Sequence, residues 1–286
     1  MTDASVGPRP QVQRAATLSD QVFRRLEDDI LNCRLVPGSK LRQKELGATY
    51  GTAGSAVREA LSQLASMGLV VAEPQRGFRV ADASIDDLID LTMSRIWVES
   101  IALRSAMSNG GREWEASIIA AVHMLGEEQP KRIVTGARPA RSTDPVDDDW
   151  RLLHQSFHNA LVGACGLKSL LNYRSKLIVL SDRYRRLSSI VPSDRNVAEE
   201  HDALAQAVLA RDADRAVELI EAHFLETAAR VLAGSSNFNG NLSETMERLR
   251  LQVRAGDGRS GGRRQKSNGV PFRSAIGEPR GVGKRR

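Results

Sequence analysis

The chain has 286 residues, enough for two modest domains, since a single core usually stops growing before it fills such a length. Aromatic residues make up 4% and the formal net charge is +6, and the abundance of Leu, Ala, Val and Arg suits a mostly α-helical protein better than a β-sandwich. The N-terminal MTDASVGPRP has no apolar core of a signal peptide, and no run approaches the roughly eighteen apolar residues of a membrane span, so a cytoplasmic protein without a membrane partner is expected.

Residues 1–17 read as a disordered N-terminus and residues 18–82 as a first module. Ser19 is the expected N-cap of a helix through Asn32, in which Val22, Phe23, Leu26, Ile30 and Leu31 recur at helical spacing. Pro37 and Gly38 break it, a short helix fits Gln43 to Tyr50, and Gly51 to Gly54 form a turn. A third helix from Ser55 to Met67 turns Val57, Leu61, Leu64 and Met67 inward. Two β-rich runs, residues 69–72 and 78–80, then flank a Pro/Gly turn that presents Gln75, Arg76 and Gly77. Three small helices followed by a hairpin make a winged helix-turn-helix, whose third helix has the width of the DNA major groove. Cys33 and Cys165 are too few and too far apart for a disulfide framework and read as small apolar residues.

From residue 84 to 232 the pattern is helical throughout. Ser84 caps a helix to Met107, Arg112 to Glu127 forms the next, and Pro130 to Asp148 reads as a polar loop. Further helices fit residues 149–164, 168–187, 194–210 and 213–232, which together predict an all-α bundle of about six helices. Four of the five histidines fall on apolar stripes of this bundle: His154 and His158 at i and i+4 beside Leu153, Phe157 and Leu161, His201 beside Leu204 and Val208, His223 beside Leu219 and Ile220. His123 reads as a surface residue. A lone histidine on such a stripe is usually a satisfied core residue. Four on three helices are different, because four unpartnered buried imidazoles are costly and one divalent cation satisfies them all.

A zinc-protease helix would need His-Glu-x-x-His, but position 155 is Gln, which cannot act as a general base. No Gly-rich phosphate loop, Cys-x-x-Cys pair or nucleophile elbow is present. A metal-dependent hydrolase-like enzyme fused to a DNA-binding module is the rival reading; it needs a general acid or base beside an open metal position. Residues 233–286 carry twelve Lys+Arg against four Asp+Glu, so the whole positive excess lies in this basic, Gly- and Ser-rich tail. The tail is expected to be disordered, apart from a short amphipathic helix from Ser243 to Arg254.

Three stretches of the first module, ILNCRLVPGSKL, AVREALSQLASMGLV and PQRGFRV, resemble the GntR-type bacterial transcription regulators. The resemblance implies DNA contacts from Lys44, Ser55 and Arg58, with Arg76 and Gly77 at the wing tip. Ala53, Gly54, Ser55 and Ala56 stand where most members have Ser-Arg-Thr-Pro, so a usual base-reading arginine is missing. In the second half, FHNAL, EHDALAQAVLARDADRA and AHFLETA are similar to the FCD ligand-binding domain of the same family, whose metal site uses Asp-x3-His and two later histidines. This implies a site of His154, His158, His201 and His223, with His154 in the usual Asp position.

A nitrogen-only ligand set favours Zn²⁺, Ni²⁺ or Co²⁺ over Mn²⁺ or Mg²⁺. With no ligating carboxylate, the loaded site keeps more positive charge and should hold an anionic effector more strongly. Arg95 and Glu99 match the R-x3-E of the family's pocket, and Arg183 and Tyr184 are candidates for gripping a carboxylate. The residues around Trp114, HQSFH and RYR are most similar to the carbon-starvation-induced regulators of glutarate catabolism. The resemblance therefore implies a homodimeric repressor that reads a palindromic operator in double-stranded DNA and responds to a small carboxylate or dicarboxylate, glutarate-like in the subgroup.

Overall fold

The computed structural model describes residues 17–127, 145–187, 195–235 and 241–256. The expected disordered N-terminus, most of the polar loop and the last thirty residues of the basic tail lie outside these.

The winged module begins with α1 (Leu18–Leu31). Its N-cap is Thr17 rather than Ser19, because Thr17 and Asp20 close a reciprocal capping box: each side chain accepts from the other's backbone N–H. β1 (Lys40–Leu41), α2 (Gln43–Tyr50) and α3 (Gly54–Ser66) follow, then β2 (Val70–Glu73) and β3 (Gly77–Val80). β1 was not expected. It pairs antiparallel with β3, so the hairpin becomes a three-stranded sheet of order β1-β3-β2. Gly51 ends α2 in the left-handed region at φ 65°, which sets the turn between the two helices of the helix-turn-helix. Val22, Leu26, Ile30, Leu46, Val57, Leu61, Leu64 and Leu69 form one core under the sheet.

α4 (Ile85–Asn109) opens the bundle, with the Ser84 hydroxyl accepting from the Asp87 N–H at 3.0 Å. At 25 residues it is about 37 Å long, and α7 (Lys168–Leu187) and α9 (Ala213–Ala233) pack along it. α5 (Arg112–Glu127), α6 (Pro145–Leu161) and α8 (Val197–Leu209) complete the expected six helices. α6 starts at Pro145, inside the stretch expected to be loop, since proline is at home in a first helical turn. A seventh helix, α10 (Leu242–Gly256), buries Met246, Leu249 and Val253 against α4 and α9, so the expected amphipathic helix in the tail is part of the bundle. His123 is exposed on α5.

Candidate functional site

The residues expected to meet DNA share one property, exposure. Lys44 on α2, Ser55 and Arg58 on the first turns of α3, and Arg76 and Gly77 at the wing tip are all exposed. Nearby arginines are tied down: Arg34 by Asp28 and Asp29, Arg42 by Glu45, Arg79 by Glu73 and Asp82. Among the described residues, no ion pair engages the side chains of Lys44, Arg58 or Arg76. A Cβ added at Gly54 would meet nothing within 4 Å, so packing does not impose the small residues at the start of α3. Gly77 sits at φ 94° and Gln75 at φ 61°, with the Arg76 N–H bonded to the Glu73 carbonyl at 3.0 Å. These left-handed residues turn the hairpin tightly and leave Arg76 at its apex.

The four bundle histidines are all buried, at 8, 5, 2 and 6% exposure for His154, His158, His201 and His223. They come from α6, α8 and α9, and one nitrogen from each lies within 4.8 Å of those of the other three. The Nε2 atoms of His154 and His158 face each other at 3.2 Å, and His201 Nε2 is buried with no hydrogen-bond partner. Burial is the main force holding all four neutral: it drives His154 and His158 well below the usual imidazole range, brings His201 to about 3, and lowers His223. Neutral imidazoles with converging, partly orphaned nitrogens could hold a divalent cation.

The supporting groups were not evident from spacing. His223 Nδ1 lies 2.9 Å from a Glu200 oxygen and 3.0 Å from an Arg195 nitrogen. Arg195 can donate only to an unprotonated Nδ1 and Glu200 can accept only from Nδ1–H, so one tautomer makes one of these hydrogen bonds and not both. With Nδ1–H donating to the carboxylate, Nε2 keeps its lone pair, and this is the tautomer a metal ligand needs. Burial raises the Glu200 carboxyl, but hydrogen bonds from Arg195 and His223 outweigh it and bring it to about 2. Trp150 stacks on His154 at 4.8 Å between centroids.

Behind His158 stands Arg174 of α7, which donates to Glu99 Oε2 and Oε1 at 2.6 and 2.8 Å, to the His158 carbonyl at 2.9 Å and to Asn159 Oδ1 at 2.7 Å. Glu99 is therefore a buried structural partner of Arg174, and not a companion of Arg95 as its i, i+4 spacing suggests. Arg95 instead donates to Ser181 Oγ at 2.6 Å and lies 4.0 Å over the Phe224 ring. Its burial, with Arg185 nearby, lowers it to about 9.

Arg95, Ser181, Tyr184, Arg185 and Phe224 line a cavity of about 10 Å³, room for about one water; none of the four imidazoles lines it, and Phe224, whose ring lies 6.1 Å from His158 and 5.7 Å from His223, stands between them and the cavity. Arg183 does not line it. Two residues apart on a helix point to nearly opposite sides, and Arg183 turns away, donating to the carbonyls of Ala81 and Asp82 in the linker. Arg185 takes the place expected for Arg183. Trp114 is a core residue: its Nε1–H donates to the Ala160 carbonyl at 2.9 Å and Arg211 covers its ring at 4.6 Å.

A winged helix-turn-helix joined to a helical bundle with a buried imidazole cluster defines a one-component, DNA-binding regulator. Residues 18–80 match the family model described as bacterial regulatory proteins, gntR family, and residues 90–226 match the FCD domain. The chain is 38% identical over 221 residues to the HTH-type transcriptional regulator BphR of Paraburkholderia xenovorans (strain LB400), covering 77% of this chain and 87% of that one. It is 36% identical over 208 residues to the HTH-type transcriptional repressor GlaR of Escherichia coli (strain K12), covering 71% and 90%. The same fold is seen in a putative GntR transcriptional regulator from Rhodococcus sp. RHA1, with TM-score 0.56 at 18% identity over 75% of this chain and 97% of that one. E. coli McbR/YncC also has TM-score 0.56, at 20% identity over 83% and 99%. The chain belongs to the GntR family of transcription regulators with an FCD domain. It is not an enzyme.

Proposed function

We propose that the protein is a homodimeric transcriptional repressor whose operator affinity is set by a small organic acid bound at a metal centre in the bundle. The observation that carries this reading is the convergence of four buried, neutral imidazoles, separated by the Phe224 ring from a cavity that holds two arginines. His154, His158, His201 and His223 would hold the cation, most suitably Zn²⁺, with Ni²⁺ or Co²⁺ as alternatives for a nitrogen-only set. When bound, it supplies positive charge that fixes one carboxylate.

Arg95 and Arg185, with the Tyr184 phenol, are placed to receive a second carboxylate, which favours a dicarboxylate of glutarate-like length. The basic reading residues address one half-site per protomer. Lys44 and Arg76 meet phosphate, Arg58 and Ser55 meet base edges from the start of α3, and Gly77 lets the wing approach closely. The small residues before Arg58 leave that end of α3 thin and remove one arginine contact, so the operator should differ from that of relatives carrying it. A two-fold pair of such modules reads a palindrome with half-sites about one helical turn apart or a multiple of it. The working boundaries are residues 18–82 for DNA and 84–232 for the effector, the latter extended by α10, which packs on α4 and α9, and a chromosomal target would put the protein in the cytoplasm.

Protein purified without a histidine tag should contain about one transition-metal ion per chain by elemental analysis, consistent with a single four-nitrogen site. A gel-shift series on the promoter fragment upstream of its own coding region should then show release by glutarate or a close dicarboxylate, abolished after chelation. Metal-free protein of full operator affinity that ignores every dicarboxylate would overturn the reading.

A further inference from the structure

The bundle and the winged module are joined by more than the linker. α7 lies between them, and its residues divide by face. Towards the bundle, Arg174 pairs with Glu99, and Ser181, Tyr184 and Arg185 form one wall of the cavity. Towards the module, Lys176 Nζ donates to the Ser66 carbonyl at the end of α3, 3.2 Å away, and Val179 and Leu180 pack on the module's core. Arg183 holds the linker carbonyls of Ala81 and Asp82, and Arg186 donates to Asn32 Oδ1 at the C-cap of α1.

Asp182 belongs to both faces. Its Oδ1 lies 3.3 Å from Arg185, while its Oδ2 lies 3.1 Å from Arg186 and 3.1 Å from Arg151. One largely buried carboxylate is thus shared between an arginine of the cavity and an arginine that grips the DNA module. The cavity has room for about one water as it stands. A larger anion must spread its walls, and α7 is one of them.

From this geometry we infer that Asp182 is the relay between the effector cavity and the DNA module, a positioning residue with no contact to DNA of its own. An anion in the cavity competes with Asp182 for Arg185. The displaced carboxylate and the shifted α7 then weaken the grip of Arg186 and Arg183 on α1 and the linker. The grip is made at the C-terminal end of α3 and at α1, whereas Ser55, Arg58 and the wing tip are exposed. The docked state therefore sets the aim of the reading face without covering it. Aim is what a two-fold dimer needs to match its half-site spacing, and a ligand acts on it only through a difference in affinity for the two arrangements.

The inference rests on the proposed carboxylate effector, and its test separates the two. Hydrogen-exchange mass spectrometry on the full-length, zinc-loaded chain would follow the amides of residues 66–69 and 81–84, with and without glutarate, while calorimetry follows glutarate binding. In the wild type glutarate should speed exchange at both segments by about fivefold or more, the low end of common coupling strengths. Asp182→Asn should exchange fast already without ligand, bind glutarate at least as tightly, and show no further response. Arg186→Gln should also exchange fast without ligand, with glutarate affinity equal to or higher than that of the wild type because the coupling is reciprocal, and Arg186→Lys should restore part of the protection. Wild-type protection in both Asp182→Asn and Arg186→Gln would overturn the relay, as would an unaltered glutarate response in Asp182→Asn. If the wild type fails to bind glutarate, the effector reading falls, and the ligand-free comparison of the variants still decides whether Asp182 and Arg186 hold the module.

Discussion

The reading face and the imidazole centre of this regulator are built on opposite terms. Around the reading face, the basic side chains that no ion pair engages among the described residues, Lys44, Arg58 and Arg76, are exposed. In the bundle, the working side chains are buried or half-buried and each is held by another: His223 by Glu200, the backbone of His158 by Arg174, Arg95 by Ser181 and Phe224. The first region leaves its chemistry unfinished until DNA arrives, so its substitutions should change affinity and spare stability. The second is preorganised within the fold, so its substitutions should change stability, metal affinity or both.

The sharpest way to break that contrast is Arg174→Ala. It removes four donor contacts and leaves Glu99 as a buried charge without its partner, which should destabilise the chain by about 3 to 5 kcal/mol. Thermal or urea unfolding checks this; a loss within about 0.5 kcal/mol, typical of a surface site, would mean that the bundle is not preorganised by this pair. Glu200→Gln is gentler. The amide oxygen can still accept from His223 Nδ1, but the charge that raises ligand basicity is gone. Metal affinity should fall roughly 10- to 100-fold in a chelator-competition titration, and because Glu200 also pairs with Arg195 the unfolding midpoint should fall as well, by less than in Arg174→Ala since this pair is more exposed.

The two regions also differed in how far they were legible from sequence. The winged module was readable nearly whole because its determinants are local: apolar spacing, turn glycines and a hairpin tip. Its misses were local as well. Thr17 displaced Ser19 as N-cap because only Thr17 has Asp20 three residues on, and β1 is two residues long, defined by its pairing with Phe78 and Arg79 rather than by its own composition. In the bundle, the four histidines could be placed because they share stripes with apolar neighbours. Their supports could not. Arg174, Glu200 and Arg185 look like ordinary surface charges in sequence, and only the packing of α4, α6, α7, α8 and α9 decides which partner each meets. Arg95 and Glu99, alike in spacing and one turn apart, face different partners across α7.

The reading face itself yields the smallest effects and the finest discrimination. Arg58→Ala should weaken operator binding by about 1 to 3 kcal/mol, and it should relax the preference at one base pair per half-site, because an arginine at this point of a recognition helix reads guanine edges. Arg76→Ala at the wing should lower affinity for all sequences alike and reduce the slope of log affinity against log salt by about one per protomer, as loss of a phosphate contact requires. Fluorescence anisotropy on a matched and a single-mismatch operator, at several salt concentrations, distinguishes the two outcomes. Neither variant should move the unfolding midpoint or the metal content, since both side chains are exposed and neither is paired with another described residue. A drop in metal affinity on replacing Arg58 would show that the two regions are coupled through the fold even without an effector, and the contrast between an open face and a closed centre would fail.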